Sequence, residues 1–87
     1  MATMATKRRS ANGEHGEYIG ATAMLHLEVF PGTTKGLYRA AVYDWFDRKA
    51  LYVSGADSTL TDAKAEAQRE AEHHAGLAVV NTKWKPK

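Results

Sequence analysis

An alanine at every fourth position from 63 to 75 is the feature that most limits how this chain can fold. The surrounding segment, DAKAEAQREAEHHA, consists almost entirely of strong helix formers. Thr61 is the predicted N-cap, and Gly76 is the predicted residue at which the helix ends. On a helix these alanines form one thin apolar stripe, so the spacing predicts a helix that lies close on a sheet.

The sheet is predicted from the segments that precede this helix. ATAMLHLEVF alternates at strand period, the turn-rich PGTTKG follows, and LYRAAVYDW, the polar turn FDRK and ALYVS complete two further strands. The fold class is therefore α+β: a three-stranded antiparallel sheet with β-β-β-α connectivity over residues 21–76, with the C-terminal helix on one face. Residues 1–20 are polar and aperiodic, and we expect a disordered basic arm. Residues 77–87 are predicted to be either a short fourth strand or a basic tail.

Each hairpin is assigned a register that brings apolar residues onto one face of the sheet. In the first hairpin, Phe30 lies opposite Leu37, which also places Glu28 opposite Arg39 as a pair of opposite charge. In the second hairpin, the predicted pairs are Trp45 with Ala50, Val42 with Val53, and Tyr43 with Tyr52.

The face of the sheet away from the helix is predicted to be an interaction site, because it forms a large, partly apolar patch. The candidate binding residues on and around it are Met24, His26, Lys35, Arg39, Tyr43, Trp45, Arg48, Lys49 and Tyr52. Aromatic, methionine and arginine side chains favour a protein partner or a second copy of the chain. Nucleic-acid binding is the alternative, with bases stacked on the aromatic rings. A third interpretation is that the C-terminal segment folds back and covers this face with Val79, Val80 and Trp84.

Positive charge is concentrated at the two ends of the chain, although the net charge is only +2. The basic arms comprise Lys7, Arg8, Arg9, Lys83, Lys85 and Lys87. They either bind phosphates or simply keep a small domain soluble. The predicted helix is acidic and would repel a nucleic-acid backbone, so a bound nucleic acid would have to contact the sheet or the arms.

Several classes of function are not expected from this sequence. It contains no nucleophile elbow, P-loop or dinucleotide-binding motif, so an enzyme is not predicted, and neither is a cofactor. Glu70 and His73 share a helical face, but with His74 pointing elsewhere they supply too few ligands for a metal site. His26 is interpreted as a half-exposed sheet residue rather than a catalytic base. No apolar run reaches the roughly 18 residues of a membrane span, so we expect no membrane partner. The chain has no cysteine, which is compatible with a reducing compartment, and the expected location is the cytoplasm.

The segment GLYRAAVYDWFDRKALYVSGADSTLTDAKAEAQ resembles the N-terminal DNA-binding module of phage-type tyrosine integrases and similar small phage or bacterial proteins. The matching features are an aromatic and basic strand, a polar turn after Asp44, a strand ending near Ser54 and the alanine-rich helix. The resemblance implies a sheet that enters the major groove and points Arg39, Tyr43 and Tyr52 toward DNA. The outer face here is more apolar than basic, so the chain is predicted to be a non-enzymatic, phage-like module that binds protein, with nucleic acid as the alternative.

Overall fold

A computed structural model describes residues 13–76 and 82–86 as a five-stranded antiparallel sheet with one helix on one face. The strands are β1 (Glu14–Ile19), β2 (Met24–Pro31), β3 (Tyr38–Asp44), β4 (Ala50–Val53) and β5 (Lys85–Pro86), and the helix α1 is Leu60–Ala75. The spatial order of the strands is β4-β3-β2-β1-β5. The predicted α+β class and antiparallel sheet are confirmed, but the sheet has five strands in place of three.

The alanine stripe lies where the spacing predicts, against the sheet. Every alanine of the stripe is fully buried, and α1 packs across β2 and β3. Because the fully buried residues of the helix are all alanines, the bulk of the core comes from strand side chains, namely Tyr18, Leu25, Leu27, Val29, Tyr38 and Val42. The helix lies close to the sheet because each residue of the stripe places only a methyl group against the strand side chains.

The helix begins two residues earlier than a Thr61 cap would place it. Thr59 is the N-cap: it is extended, and its hydroxyl accepts a hydrogen bond from the Asp62 amide at 3.1 Å. Ser58 pairs with Tyr38 through two backbone hydrogen bonds, which holds the chain extended up to Thr59. Gly76 ends the helix as predicted, with a φ of 77°.

The first strand, β1, occupies part of the stretch that was predicted to be a disordered arm. Its inward-facing residues include Gly16 and the fully buried Tyr18, so the strand carries little of the apolar alternation that marks β2 and β3. Gly16 is required by the close approach of the C-terminal segment, because an added Cβ would lie 2.8 Å from the Lys83 carbonyl oxygen. The rest of the predicted arm, residues 1–12, lies outside the described residues.

The first hairpin has a register two residues away from the predicted one. Phe30 faces Arg39 rather than Leu37, and Glu28 faces Ala41 rather than Arg39. The loop is shorter than predicted, because the Gly32 amide donates to the Leu37 carbonyl oxygen at 2.8 Å and extends the pairing of the two strands. A shift of two residues keeps every side chain on its predicted face, because side chains alternate with a period of two.

The second hairpin differs from the predicted register by two residues at its closing end, where Ala50 faces Tyr43 rather than Trp45. Beyond that pair it differs by one residue, which exchanges the faces on which Tyr52 and Val53 lie. An irregularity between Val42 and Tyr43 makes Val42 face Tyr52, while Ala41 faces Val53. The predicted positions were therefore wrong: Tyr52 lies under the helix, and Val53 lies on the outer face with 52% of its surface exposed. A bulge of this kind inserts one residue, which reverses the alternation beyond it.

Polar contacts at this edge fasten the helix to the sheet. The Glu66 carboxylate of α1 accepts hydrogen bonds from the Tyr52 hydroxyl and from the Ser54 hydroxyl. The Ser54 oxygen in turn accepts from the buried Ala40 amide at 2.8 Å. The hydrogen bond to Glu66, with burial as the second cause, raises the pKa of Tyr52.

Replacing one alanine of the stripe tests the close contact of helix and sheet. We expect Ala67→Leu to lower the free energy of unfolding by about 1–3 kcal/mol, because the extra carbons have no space against the strands. Ala65→Leu lies two residues away, on the exposed side of α1, and is the control. It should change the free energy of unfolding by less than about 0.5 kcal/mol. Urea unfolding of both variants measures the difference. Equal effects at the two positions would contradict a stripe packed against the sheet.

The stability of the fold at high pH tests the Tyr52–Glu66 contact. Burial and the charge of Glu72 raise the pKa of Tyr18, as the Glu66 contact does for Tyr52. Both hydroxyls are harder to ionise when folded, so their contribution is present below about pH 10 and is lost as pH rises further. We expect the urea concentration at the midpoint of unfolding to decrease as the pH rises above that value. The decrease should be less steep in Tyr52→Phe and Glu66→Gln. The same steepness in all three proteins would show that the contact is not made.

Candidate interaction surface

The outer face of the sheet, on the side opposite α1, is organised in four rows that cross the strands. From the β3–β4 turn to the β2–β3 loop, the rows are Ile19, Met24 and Trp45; Glu17, His26 and Tyr43; His15, Glu28, Ala41 and Val53; and Phe30 with Arg39. The first row is apolar and the two middle rows contain the histidines and glutamates. The face therefore has an apolar end and a polar centre.

The apolar end consists of Ile19, Met24, Tyr43, Trp45 and, in the adjoining turn, Phe46. Phe46 is the most exposed large hydrophobic residue in the described part of the chain, with 80% of its surface accessible, and Ile19 is 43% accessible. Two of the three large hydrophobic residues that are exposed within residues 13–76 and 82–86 thus lie together at this end. Exposed apolar residues that adjoin one another are typical of contact surfaces.

Hydrogen bonds between its amides and two aspartate side chains order the backbone of the β3–β4 turn that carries Phe46. The Asp44 carboxylate accepts from the amides of Phe46 at 2.9 Å and Asp47 at 3.2 Å, while the Asp47 carboxylate accepts from the Lys49 amide at 2.8 Å. Arg48 adopts a left-handed backbone conformation, with a φ of 61°, and closes the turn by donating to the Asp44 carbonyl oxygen. The exposed ring therefore projects from an ordered turn.

A cation adjoins this apolar end. The guanidinium of Arg48 lies 5.0 Å from the centre of the Trp45 ring, which is within the range of a cation–π contact. Lys49, the next residue, is exposed. Aromatic rings with an arginine against them have the composition of binding hot spots.

His26 lies at the polar centre, between two carboxylates. Its Nδ1 is 2.7 Å from a Glu17 oxygen and its Nε2 is 3.3 Å from a Glu28 oxygen. The His15, Tyr43 and Trp45 rings surround it at centroid distances of 5.6, 6.2 and 6.4 Å. Only 13% of the His26 side chain is accessible, so its ring is largely enclosed by these neighbours.

At the far end of the face, Arg39 is already paired. Its Nε donates to Asp57 at 2.6 Å, and Asp57 also accepts from the Thr34 amide at 2.6 Å and the Thr33 hydroxyl at 3.0 Å. The Arg39 guanidinium, followed by the Thr34 amide, holds the pKa of the Asp57 carboxyl well below its usual range. Arg39 lies on the predicted face, but its guanidinium is paired with Asp57, which also binds the β2–β3 loop.

The predicted binding residues fall into separate groups. Met24, His26, Arg39, Tyr43 and Trp45 share the outer face, whereas Tyr52 lies on the helix side. Lys35 lies in the β2–β3 loop, about 20 Å along the strands from Arg48 and Lys49 in the opposite turn. The predicted cations therefore do not form one continuous basic patch.

The C-terminal residues that are described lie at the β1 edge. Lys85 in β5 pairs with His15, and Lys83 is exposed. Trp84 packs against the core on the helix side, with the Lys64 ammonium 5.7 Å from its ring, and Lys64 also pairs with Glu14 at 2.7 Å. Trp84 therefore does not cover the outer face. The predicted contributions of Lys7, Arg8, Arg9, Val79, Val80 and Lys87 lie outside the described residues.

His15, Glu17 and Ile19 were missing from the predicted surface, because their strand was not predicted. The signal that could have revealed them is their spacing of two residues, which places all three on one face of any strand. Phe46 was assigned to a turn, but the exposure of its ring depends on the geometry of that turn and has no sequence signature.

Comparisons with protein-family models, curated proteins and solved structures found no match to this chain. Within the described residues, no helix is sufficiently long and apolar to cross a bilayer.

Acid unfolding tests the Asp57 contacts. The depressed pKa of Asp57 stabilises the fold above about pH 4, and this contribution is lost as pH falls below that value. We expect Asp57→Asn to lower the urea midpoint at pH 7 and to weaken its decrease between pH 5 and pH 2. Asp47→Asn, which removes the charge of a carboxylate that accepts from one amide within a turn, is the control and should retain the steeper decrease. Parallel pH profiles for the parent and Asp57→Asn would contradict the assignment.

Proposed function

We propose that this protein is a small, non-enzymatic module that binds a protein partner through the apolar end of its outer sheet face. The observation that carries the proposal is the exposed Phe46 ring, held on an ordered turn beside Trp45 and Arg48. Presenting an apolar ring to water gives no stability to the isolated domain, whereas the same ring in a partner's pocket buries its surface with little loss of backbone entropy.

The distribution of charge favours a protein over a nucleic acid. Glu17 and Glu28 occupy the centre of the face, and Arg39 is neutralised by Asp57. A phosphate backbone laid along the sheet would therefore meet two carboxylates before it reached an unpaired cation. This argues against the DNA contact that the integrase resemblance implies for the same face.

The chemistry of the apolar end indicates what the partner surface should offer. An apolar pocket would receive Phe46 and the edge of Trp45, and acidic groups beside it would meet Arg48 and Lys49. A second copy of this chain offers such acidic groups in Glu17 and Glu28, so self-association is one form that this contact can take.

Site-specific photocrosslinking tests the proposal. A benzophenone amino acid replaces Phe46 in one variant and Thr61, on the exposed side of α1, in the control. In cells of the encoding organism, we expect the variant at position 46 to give a discrete crosslinked protein that the control does not give. Equal products from both positions would contradict a specific surface, and crosslinks to nucleic acid alone would support the alternative.

The partner identified in this way is then purified for binding measurements. We expect Phe46→Ala and Trp45→Ala each to weaken binding by at least about tenfold, because hot-spot residues contribute more than about 1.4 kcal/mol. Val53→Ala, an exposed apolar residue outside the apolar end, should change it less than about threefold. Uniform small effects in all three variants would refute the proposal.

A further inference from the structure

Two histidines and two glutamates alternate at the polar centre of the outer face. His15 and Glu17 lie on β1, His26 and Glu28 lie on β2, and the cross-strand pairs are His15 with Glu28 and Glu17 with His26. Each histidine therefore has a glutamate across the strands from it and another along its own strand. All four side chains project from the same side of two paired strands.

We propose that His15, Glu17 and His26 bind a divalent transition-metal ion of borderline softness, with Zn²⁺ as the representative case. One potential ligand atom from each residue, two imidazole nitrogens and one carboxylate oxygen, lies within 4.8 Å of the other two. Tetrahedral zinc with bonds of about 2.0–2.1 Å needs ligand atoms about 3.4 Å apart. Small side-chain rotations shorten the spacing of the three atoms from the 4.8 Å limit to about 3.4 Å, while the pairing of β1 with β2 holds the backbone in place.

Glu28 strengthens this assignment because it contacts the other nitrogen of the same ring. In the metal-free protein the His26 Nδ1 donates its proton to Glu17 at 2.7 Å. A metal ion that replaces this proton between Nδ1 and Glu17 leaves the ring proton on Nε2, which lies 3.3 Å from Glu28 and donates to it. A histidine that binds metal through one nitrogen and donates to a carboxylate through the other is the arrangement found around protein metal ions. Glu28 is thus a positioning residue in this site.

The surroundings of the cluster are compatible with a cation. Glu17 and Glu28 carry two negative charges, and Lys85, which faces His15 across β1 and β5, carries one positive charge. The Tyr43 and Trp45 rings shield His26, which reduces the competition from solvent. Three protein ligands leave a position open for water or for a group on a bound molecule. The three proposed ligands lie outside the apolar end, so the metal site can be tested separately from the proposed protein contact at Phe46.

The two remaining histidines of the chain provide an internal control. His73 and His74 are adjacent and exposed in the last turn of α1, with ring centroids 5.4 Å apart. Neighbouring helix positions diverge by about 100°, so this pair cannot supply the converging ligands of a strong site. If zinc binds, the histidines responsible can therefore be identified by substitution.

Isothermal titration calorimetry of the metal-free protein with Zn²⁺ tests the site. We expect one ion per chain, a loss of affinity of about 10–100-fold in Glu28→Gln, and a larger loss in His15→Ala, Glu17→Gln and His26→Ala. The double variant His73→Ala/His74→Ala should retain the parent affinity. Circular dichroism confirms that each variant is folded. No binding at millimolar Zn²⁺, or loss of binding only in the double variant, would overturn the proposal.

Fluorescence quenching by Cu²⁺ locates the ion independently, since copper binds nitrogen sites more tightly than zinc does. In Trp84→Phe the emission comes from Trp45, whose ring centre is 6.4 Å from that of His26. We expect stoichiometric Cu²⁺ to quench it, and His15→Ala and Glu17→Gln in the same background to abolish the stoichiometric quenching. Quenching that persists unchanged in both variants would refute a site at these residues.

Discussion

The antiparallel pairing of β1 with β2 is the interaction on which both the core and the outer face depend. In this register Tyr18 faces Leu25 and enters the core, while Glu17 faces His26 on the opposite side. Shifting the pairing by one residue would expose Tyr18 and bury the charge of Glu17, which is energetically unfavourable in both respects. The same ladder of backbone hydrogen bonds thus determines which residues are buried and which form the polar centre.

Carboxylates in and around the loops hold the remaining elements in place. Asp57 joins the β2–β3 loop to the segment before the helix, Glu66 joins the helix to β4, and Asp44 orders the turn that carries Phe46. A helix whose inner side consists of alanine methyl groups buries little apolar area per residue. Polar contacts at the edges therefore contribute a larger share of the specificity here than they would in a domain with a thicker core.

The elements with strong periodicity could be predicted, and the features that depend on one residue of register could not. Alternation in β2 and β3 and the alanine spacing of α1 gave correct faces, even though the first hairpin differs by two residues from the predicted pairing. The bulge at Val42 and Tyr43 moved Tyr52 to the other side, and no local pattern indicates it. The strand β1 was missed because Gly16 replaces an apolar residue at an inward position, where the returning C-terminal segment leaves no room for a side chain.

The pairing of β1 with β2 is also the claim on which the predicted metal site stands, and it can be observed directly. Interstrand nuclear Overhauser effects in the labelled full-length protein report which residues face one another across the two strands. The structure predicts contacts between Glu17 and His26 and between His15 and Glu28. Contacts displaced by one residue, or random-coil chemical shifts throughout residues 14–19, would contradict the account of both the core and the outer face.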